Sequence, residues 1–161
     1  MSPAKLVGIQ FAALPYRIEG RQVQVRLITS RGTGRWVIPK GWPIGGLRPM
    51  EAAAVEAAEE GGLEGEMEET PLGSYHYAKR LKGAQTTQVQ VIVFPFRVTG
   101  HAETFKEQGE RHGAWFAYQK AAALVAEPAL RRLIREFGVA HSPTLIAQSL
   151  RRYRAWRLAR A

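Results

Sequence analysis

"PKGWPIGGLRPMEAAAVEAAEEGGL", residues 39–63, decides how the rest of the chain is read. Alanine leads the helix-propensity scale and proline suits a first helical position, so Pro49 to about Glu60 is expected to be a helix that Gly61 and Gly62 stop. Glu59 and Glu60 then fall in the last turn, where the helix dipole disfavours carboxylates. At about 100° per residue, Glu56, Glu59 and Glu60 share one sector, while Met50, Ala54, Ala57 and Ala58 share roughly the opposite one. No lysine or arginine stands three or four residues away to form the usual surface pairs. A divalent cation would relieve both conflicts, since magnesium takes oxygens from one or two carboxylates and completes its shell with water and substrate phosphate. A solvated acidic face is the plain alternative.

The same stretch resembles a Nudix box: Gly, five residues, Glu, seven residues, then Arg-Glu-apolar-any-Glu-Glu-any-Gly-apolar. Gly41, Glu56, Ala57, Glu59, Glu60, Gly62 and Leu63 stand in register. Two positions depart, with Leu47 at the first Glu and Val55 at the Arg. In the family those two brace the loop against the helix, so an apolar contact between Leu47 and Val55 is expected in place of the polar brace. The resemblance implies an α/β chain of the α+β type, a mixed β-sheet sandwiched between helices. It places that domain at 1–140 and leaves 141–161 as an extra C-terminal basic helix.

It also implies hydrolysis of a diphosphate linkage with Mg2+ or Mn2+. Glu56 and Glu60 would ligate the metal, helped by the backbone carbonyl of Lys40 or Gly41. Glu59 would be the base or orient the water, with Glu56 as the other candidate, because family members differ. Gly41, Gly45 and Gly46 allow a tight turn and close backbone approach to phosphate.

"TSRGTGRWVIPKG" (29–41) and "WF" at 115 and 116 are similar to the branch that hydrolyses diphosphoinositol polyphosphates and diadenosine polyphosphates. Arg31, Arg35, Lys79, Arg80, Lys82 and Arg111 are therefore the candidates to grip phosphates, arginine being suited to bidentate contacts. Where that branch has a basic cluster on its first strand, this chain has Gly8, Ile9 and Gln10. Glu107 and Glu110 precede the last strand, where some family members place an extra acidic ligand or base. His76 and His112 are read as hydrogen-bonded structural histidines.

The whole chain bounds these readings. Its 161 residues fit one domain, and no cysteine is present, which excludes disulfides, thiolate zinc sites and cysteine nucleophiles. The longest apolar run, "VQVIVFPF", is far below the roughly 18 residues a membrane helix needs. The N-terminal "MSPAKLVGIQFAALPYR" is read as a first strand rather than a targeting segment, and the cytoplasm is the expected location. Net charge is +9, but His141–Ala161 holds five arginines and no acid, leaving +4 on the rest. The tail places Leu145, Ile146, Leu150, Tyr153, Trp156 and Leu158 among those arginines. One reading is a packing helix, at a homodimer contact; the other is a basic helix that meets nucleic acid or an anionic membrane.

Strands are expected at 6–17, 22–29, 35–39, 72–80, 86–100 and 113–119, and helices at 120–125, at 128–138 ending on Gly138, and after Ser142 as N-cap with Pro143 at N1. An anionic phosphorylated small molecule of nucleoside polyphosphate or inositol pyrophosphate type is the expected substrate. A catalytically weak binding module for nucleotide or RNA, and an RNA 5′-pyrophosphohydrolase, are the alternatives.

Overall fold

The computed structural model describes residues 6–143 and 145–160, with backbone alone at 6, 7 and 145–151. The side-chain placements expected of Leu145, Ile146 and Leu150 thus lie outside the described residues, as does the start of the weighed targeting segment, Met1–Lys5.

Two long strands form the spine. β1 (Leu6–Glu19) and β7 (Thr86–His101) run parallel, in register from Gly8 opposite Val89 to Tyr16 opposite Arg97. The free edge of each is shared by two shorter antiparallel strands. Along β1, β4 (Lys40–Gly41) pairs at Phe11 and Ala12, and β2 (Gln22–Thr29) pairs from Tyr16 onward. Along β7, β6 (Gly73–Arg80) pairs up to Val93 and β5 (Leu63–Met67) takes the remainder. β2 also carries β3 (Trp36–Val37) and β8 (Gly113–Ala117), completing a mixed sheet of eight strands.

Side chains alternate between the faces of a strand, so a strand covered on both sides reads as a near-continuous apolar run. Ala12, Leu14 and Tyr16 of β1 join Val89, Val91 and Val93 of β7 in the larger core, under α2 (Tyr118–Leu124) and α3 (Pro128–His141). Phe11 and Ala13 alternate with them and join Phe94 and Phe96 beneath α1 (Pro49–Gly61). The fold is thus α+β, with helices on both faces of a mixed sheet, as the sequence implies. Among the described residues no helix is long and apolar enough to cross a membrane.

Several boundaries differ from the sequence reading, each for a local reason. The strand expected at 35–39 shrinks to two residues, and Lys40–Gly41, expected in a loop, pairs with β1 instead. β5, right after the helix, carries Glu64, Gly65 and Glu66 and has no apolar run to betray it; pairing with β7 makes it. Gly138 does not end α3 but serves packing. The helix continues to His141, and Ser142 caps its C-terminus by donating from Oγ to the Gly138 carbonyl at 2.6 Å, rather than starting the next helix. α4 runs Leu145–Ala159, and its residues 152–160 are all exposed.

A Cβ at Gly138 would fall inside the Tyr118 ring, near its attachment point where it cannot swing clear. Overpacking of this kind costs about 1–3 kcal/mol. Gly138→Ala is expected to lower unfolding free energy by about 2 kcal/mol in urea denaturation.

Candidate functional site

α1 ends on Gly62, whose φ of 65° is the left-handed conformation that favours glycine; Gly61 is still helical. A loop then docks on this end. The Ala102 N–H donates to the Gly62 carbonyl at 2.8 Å and the Glu107 N–H to the Glu59 carbonyl at 2.9 Å. These bonds satisfy part of the negative helix end and bring Lys106, Glu107 and Arg111 beside the glutamates.

The acidic sector is not simply opposite the apolar one. The helix meets the sheet through Met50, Ala53 and Ala57, with Ala52 also buried, while Ala58 is exposed. Glu60, one turn on from Ala57, therefore lies at the flank of the buried face and is only 7% exposed. Glu56 is half-buried, and Glu59 points furthest outward, 3.3 Å from Lys106 Nζ. A cation does reach Glu59, then, from the docked loop rather than from its own helix.

β4 supplies the opposite wall. Its pairing with β1 presses Gly41 against Glu56, and a Cβ at Gly41 would coincide with the Glu56 carboxyl group. Gly41 is needed because Glu56 occupies its side-chain space. Gly45 has open space around it, and Gly46 makes the turn with φ of 81°.

Glu56, Glu59, Glu60 and Glu107 line one cavity of about 470 Å³, together with Arg31, Lys40, Lys79, Lys106 and Arg111. Burial pushes the Glu60 carboxyl up to about 8; Arg111 and Lys40 oppose the shift, while Glu56 and Glu107 add to it. Burial also raises Glu56, against a hydrogen bond shared with Glu60 and with the help of Glu59 and Glu107. Lys40 is lowered by burial, with Glu60 pulling the other way. Two neighbouring carboxyls that burial disfavours in the ionised form are a hard oxygen pair of the kind that could hold a divalent cation. Among the described residues no three acids or histidines converge as a ready cage. The protein would contribute Glu56 and Glu60, with the Gly41 backbone adjoining them.

The expected phosphate-binding residues divide. Arg31 and Lys79 line the glutamate cavity and also a neighbouring one of about 750 Å³, whose wall includes Arg35 and Arg80. Arg31 lies 3.0 Å from Glu107 and 3.6 Å from Glu110; Arg35 lies 3.7 Å from Glu127. Lys82 sits exposed on the β6–β7 turn and lines neither cavity. Arg111 faces both cavities, yet its guanidinium is engaged internally, donating to the Thr29 carbonyl at 3.2 Å and lying 3.9 Å from Glu60 and 3.5 Å from Glu107. It positions the buried acid as much as it offers a hand to substrate. His76 and His112 are both exposed rather than packed. Sequence reasoning missed the Lys40 ammonium, Lys106, Trp42, Tyr77 and Gln10; the Tyr77 hydroxyl donates to Gln10 Oε1 at 2.8 Å inside the cavity wall.

Residues 9–137 match the NUDIX domain family. The chain belongs to the NUDIX family. The domain is 26% identical over 122 residues to the mitochondrial Nudix hydrolase 12 of Arabidopsis thaliana, the match covering 72% of this chain but only 59% of that relative's length. Its fold is similar to a NUDIX hydrolase from Nitrosomonas europaea, with TM-score 0.63, 19% identity and coverage of 85% and 92% of the two chains. It is likewise similar to a C. elegans Ap4A hydrolase solved as a binary complex, with TM-score 0.61, 18% identity and coverage of 83% and 96%.

The two positions that depart from the NUDIX motif are Leu47, 40% exposed, and Val55, half-buried on α1. The residue between Leu47 and the helix, Arg48, is the N-cap of α1 and ties that helix's own first turn: its N–H and Nε donate to the Glu51 carboxylate at 2.9 and 3.0 Å, and its guanidinium reaches Glu69, in the β5–β6 connection, at 2.9 Å.

Because the folded-state pKa of Glu60 lies above its ordinary 4.5, the metal-free fold is favoured by the proton; stability is full below about 4.5 and falls until about 8. Thermal unfolding in EDTA is expected to show wild type losing stability between about pH 5 and pH 8 relative to Glu60→Gln. Added Mg2+ or Mn2+ is expected to recover the difference at the upper end, by binding the folded state alone.

Proposed function

We propose that this NUDIX domain hydrolyses a phosphoanhydride bond of a nucleoside polyphosphate or inositol pyrophosphate type substrate, with Mg2+ or Mn2+ held by Glu56 and Glu60. The observation that carries this reading is the facing, partly desolvated carboxyl pair in a cavity walled by arginines and lysines. The bound ion would supply charge neutralisation at phosphoryl oxygens and an acidified water.

The residues divide the remaining work. Glu59, turned away from the carboxyl pair, accepts the proton of the attacking water; as the water oxygen bonds to phosphorus, the bridging P–O bond breaks and a phosphate leaves as the anion. Lys79 and Arg31 line the path of that anion. Glu107 lies between Arg31 and Arg111 and is better suited to holding the two guanidiniums than to taking a proton. Positioning and electrostatics of this kind account for most phosphoryl-transfer catalysis. The C. elegans neighbour's name, Ap4A hydrolase, supports a dinucleoside polyphosphate within this class.

The test incubates the protein with Mg2+ or Mn2+ and diadenosine polyphosphates, an inositol pyrophosphate, ADP-ribose and triphosphorylated RNA. Glu59→Gln is expected to lower kcat by roughly 10²-fold or more, the range for removing a general base. Glu56→Gln and Glu60→Gln are expected to weaken metal activation as well. If Glu56→Gln lowers kcat with metal activation intact, Glu56 is the base; if nothing is cleaved yet nucleotide binds, the domain is a binding module.

A second reading, RNA 5′-end hydrolysis, is favoured by α4. Tyr153 and Trp156 stack at 6.1 Å, with Arg160 at 4.5 Å over the Trp156 ring, and all are exposed beside Arg152, Arg154 and Arg157. Aromatic and cationic groups together suit single-stranded nucleic acid. Deleting residues 144–161 is expected to raise KM for triphosphorylated RNA and flatten its salt dependence, leaving small substrates unaffected. An unchanged KM for RNA would leave the tail outside substrate binding.

A further inference from the structure

Trp42 has no role in the reading above, yet it forms part of the wall of the same cavity as Glu56, Glu59 and Glu60. Two other tryptophans are accounted for by packing: Trp36 meets Phe116 edge-on at 5.1 Å, and Trp115 lies under Arg17 at 4.2 Å. Trp42 instead remains 44% exposed, beside Pro43 and Ile44 in the cavity lining.

Its indole is seated rather than loose. It rests on Gly8 of β1, where a Cβ would lie 2.7 Å from Cζ3 and 3.4 Å from Cη2. The preceding residue, Gly41, is held in the β4–β1 pairing, and the following Pro43 restricts the Trp42 backbone. Lys79 Nζ stands 5.7 Å from the ring centroid and lines the same cavity. An aromatic face, its seat on Gly8 and the Lys79 ammonium thus line the same cavity as the carboxyl pair.

We infer that Trp42 is a stacking platform for an aromatic base, which makes the substrate of this cavity a nucleoside polyphosphate rather than a phosphorylated inositol. The inference rests on the phosphoanhydride reading and selects within it. A base offers a π-face to the indole, and stacking of this kind is worth a substantial part of a nucleotide's affinity. A phosphorylated inositol has no π-face and asks for cations. Around the indole's seat β1 offers Gly8, Ile9 and Gln10, and the Gln10 amide oxygen is already bonded to Tyr77. Lys79 leaves the ring for a phosphate when the base arrives, its flexible chain bridging the two parts of the ligand.

The experiment uses the full chain carrying Glu59→Gln, so that ligands persist, and titrates ATP and tripolyphosphate by calorimetry with Mg2+ present. The two ligands share the phosphate chain and differ in the nucleoside. Trp42→Ala is expected to weaken ATP about tenfold and tripolyphosphate less than about twofold, with Trp42→Phe restoring most of the loss. Gly8→Ala pushes the indole off its seat without removing it and is expected to repeat the selective loss. Equal losses for the two ligands, or none, would overturn the platform and leave Trp42 as a cover for Gly8. Hydrolysis of the substrate panel is scored separately with Glu59 intact, so a platform without cleavage, or cleavage without a platform, shows which reading has failed.

Discussion

The contact on which the site depends is the one between the Gly41 backbone and the Glu56 carboxyl group. It exists because two residues of β4 pair with β1 at Phe11 and Ala12, directly beneath α1. Any side chain at 41 would take the space of the carboxyl and push helix from sheet. Small residues on the helix, Ala53 and Ala57, allow the same approach from the other side. Close packing of alanine and glycine therefore brings an acid into low dielectric, and low dielectric is what raises Glu56 and Glu60.

That arrangement leaves a second problem, since three acids sit at the negative end of a helix dipole. The protein answers it with cations from distant segments: Lys40 from β4, and Lys106 and Arg111 from the loop that docks on Glu59 and Gly62. Arg111 approaches Glu60 and Glu107 through its terminal guanidinium nitrogen, and its buried Nε has no hydrogen-bond partner. These cations moderate the repulsion among the glutamates without removing it, so the carboxyl pair still favours a proton or an ion of higher charge.

The sheet and most helices were legible because their cause is local or periodic. Apolar alternation announces β2, β6 and β7, and proline at N1 announces α1 and α3. β4 and β5 were not legible, because Lys40–Gly41 and Leu63–Met67 are strands only through their partners. The same distinction runs through the site. Spacing alone grouped Glu56, Glu59 and Glu60, and the motif resemblance supplied Gly41. Lys106 and the Lys40 ammonium join the site through long-range packing, which leaves no trace at spacings of three or four residues. Trp42 stood in plain view in the opening stretch; its meaning needed Gly8, 34 positions earlier, to be seen beneath it. The start of α1 is a further case: proline at N1 announces the helix, but only the structure shows Arg48 joining Glu51 and Glu69 there.

The charge layout gives the cavity a direction. Around the glutamates four acids face five cations, whereas the adjoining cavity sets Arg31, Arg35, Lys40, Lys79, Arg80 and Arg111 against Glu127 alone. Potential thus rises from the carboxyl pair toward the second cavity, and field lines focus along low-dielectric walls. On the proposed reading, an anion long enough to span both would set its scissile bond by the acids and its remaining phosphates among the arginines. The indole of Trp42 lines the glutamate cavity and not the second one, with Lys79, which lines both, 5.7 Å from its ring. For the nucleoside polyphosphate proposed above, this layout would favour a chain of several phosphates over a monophosphate.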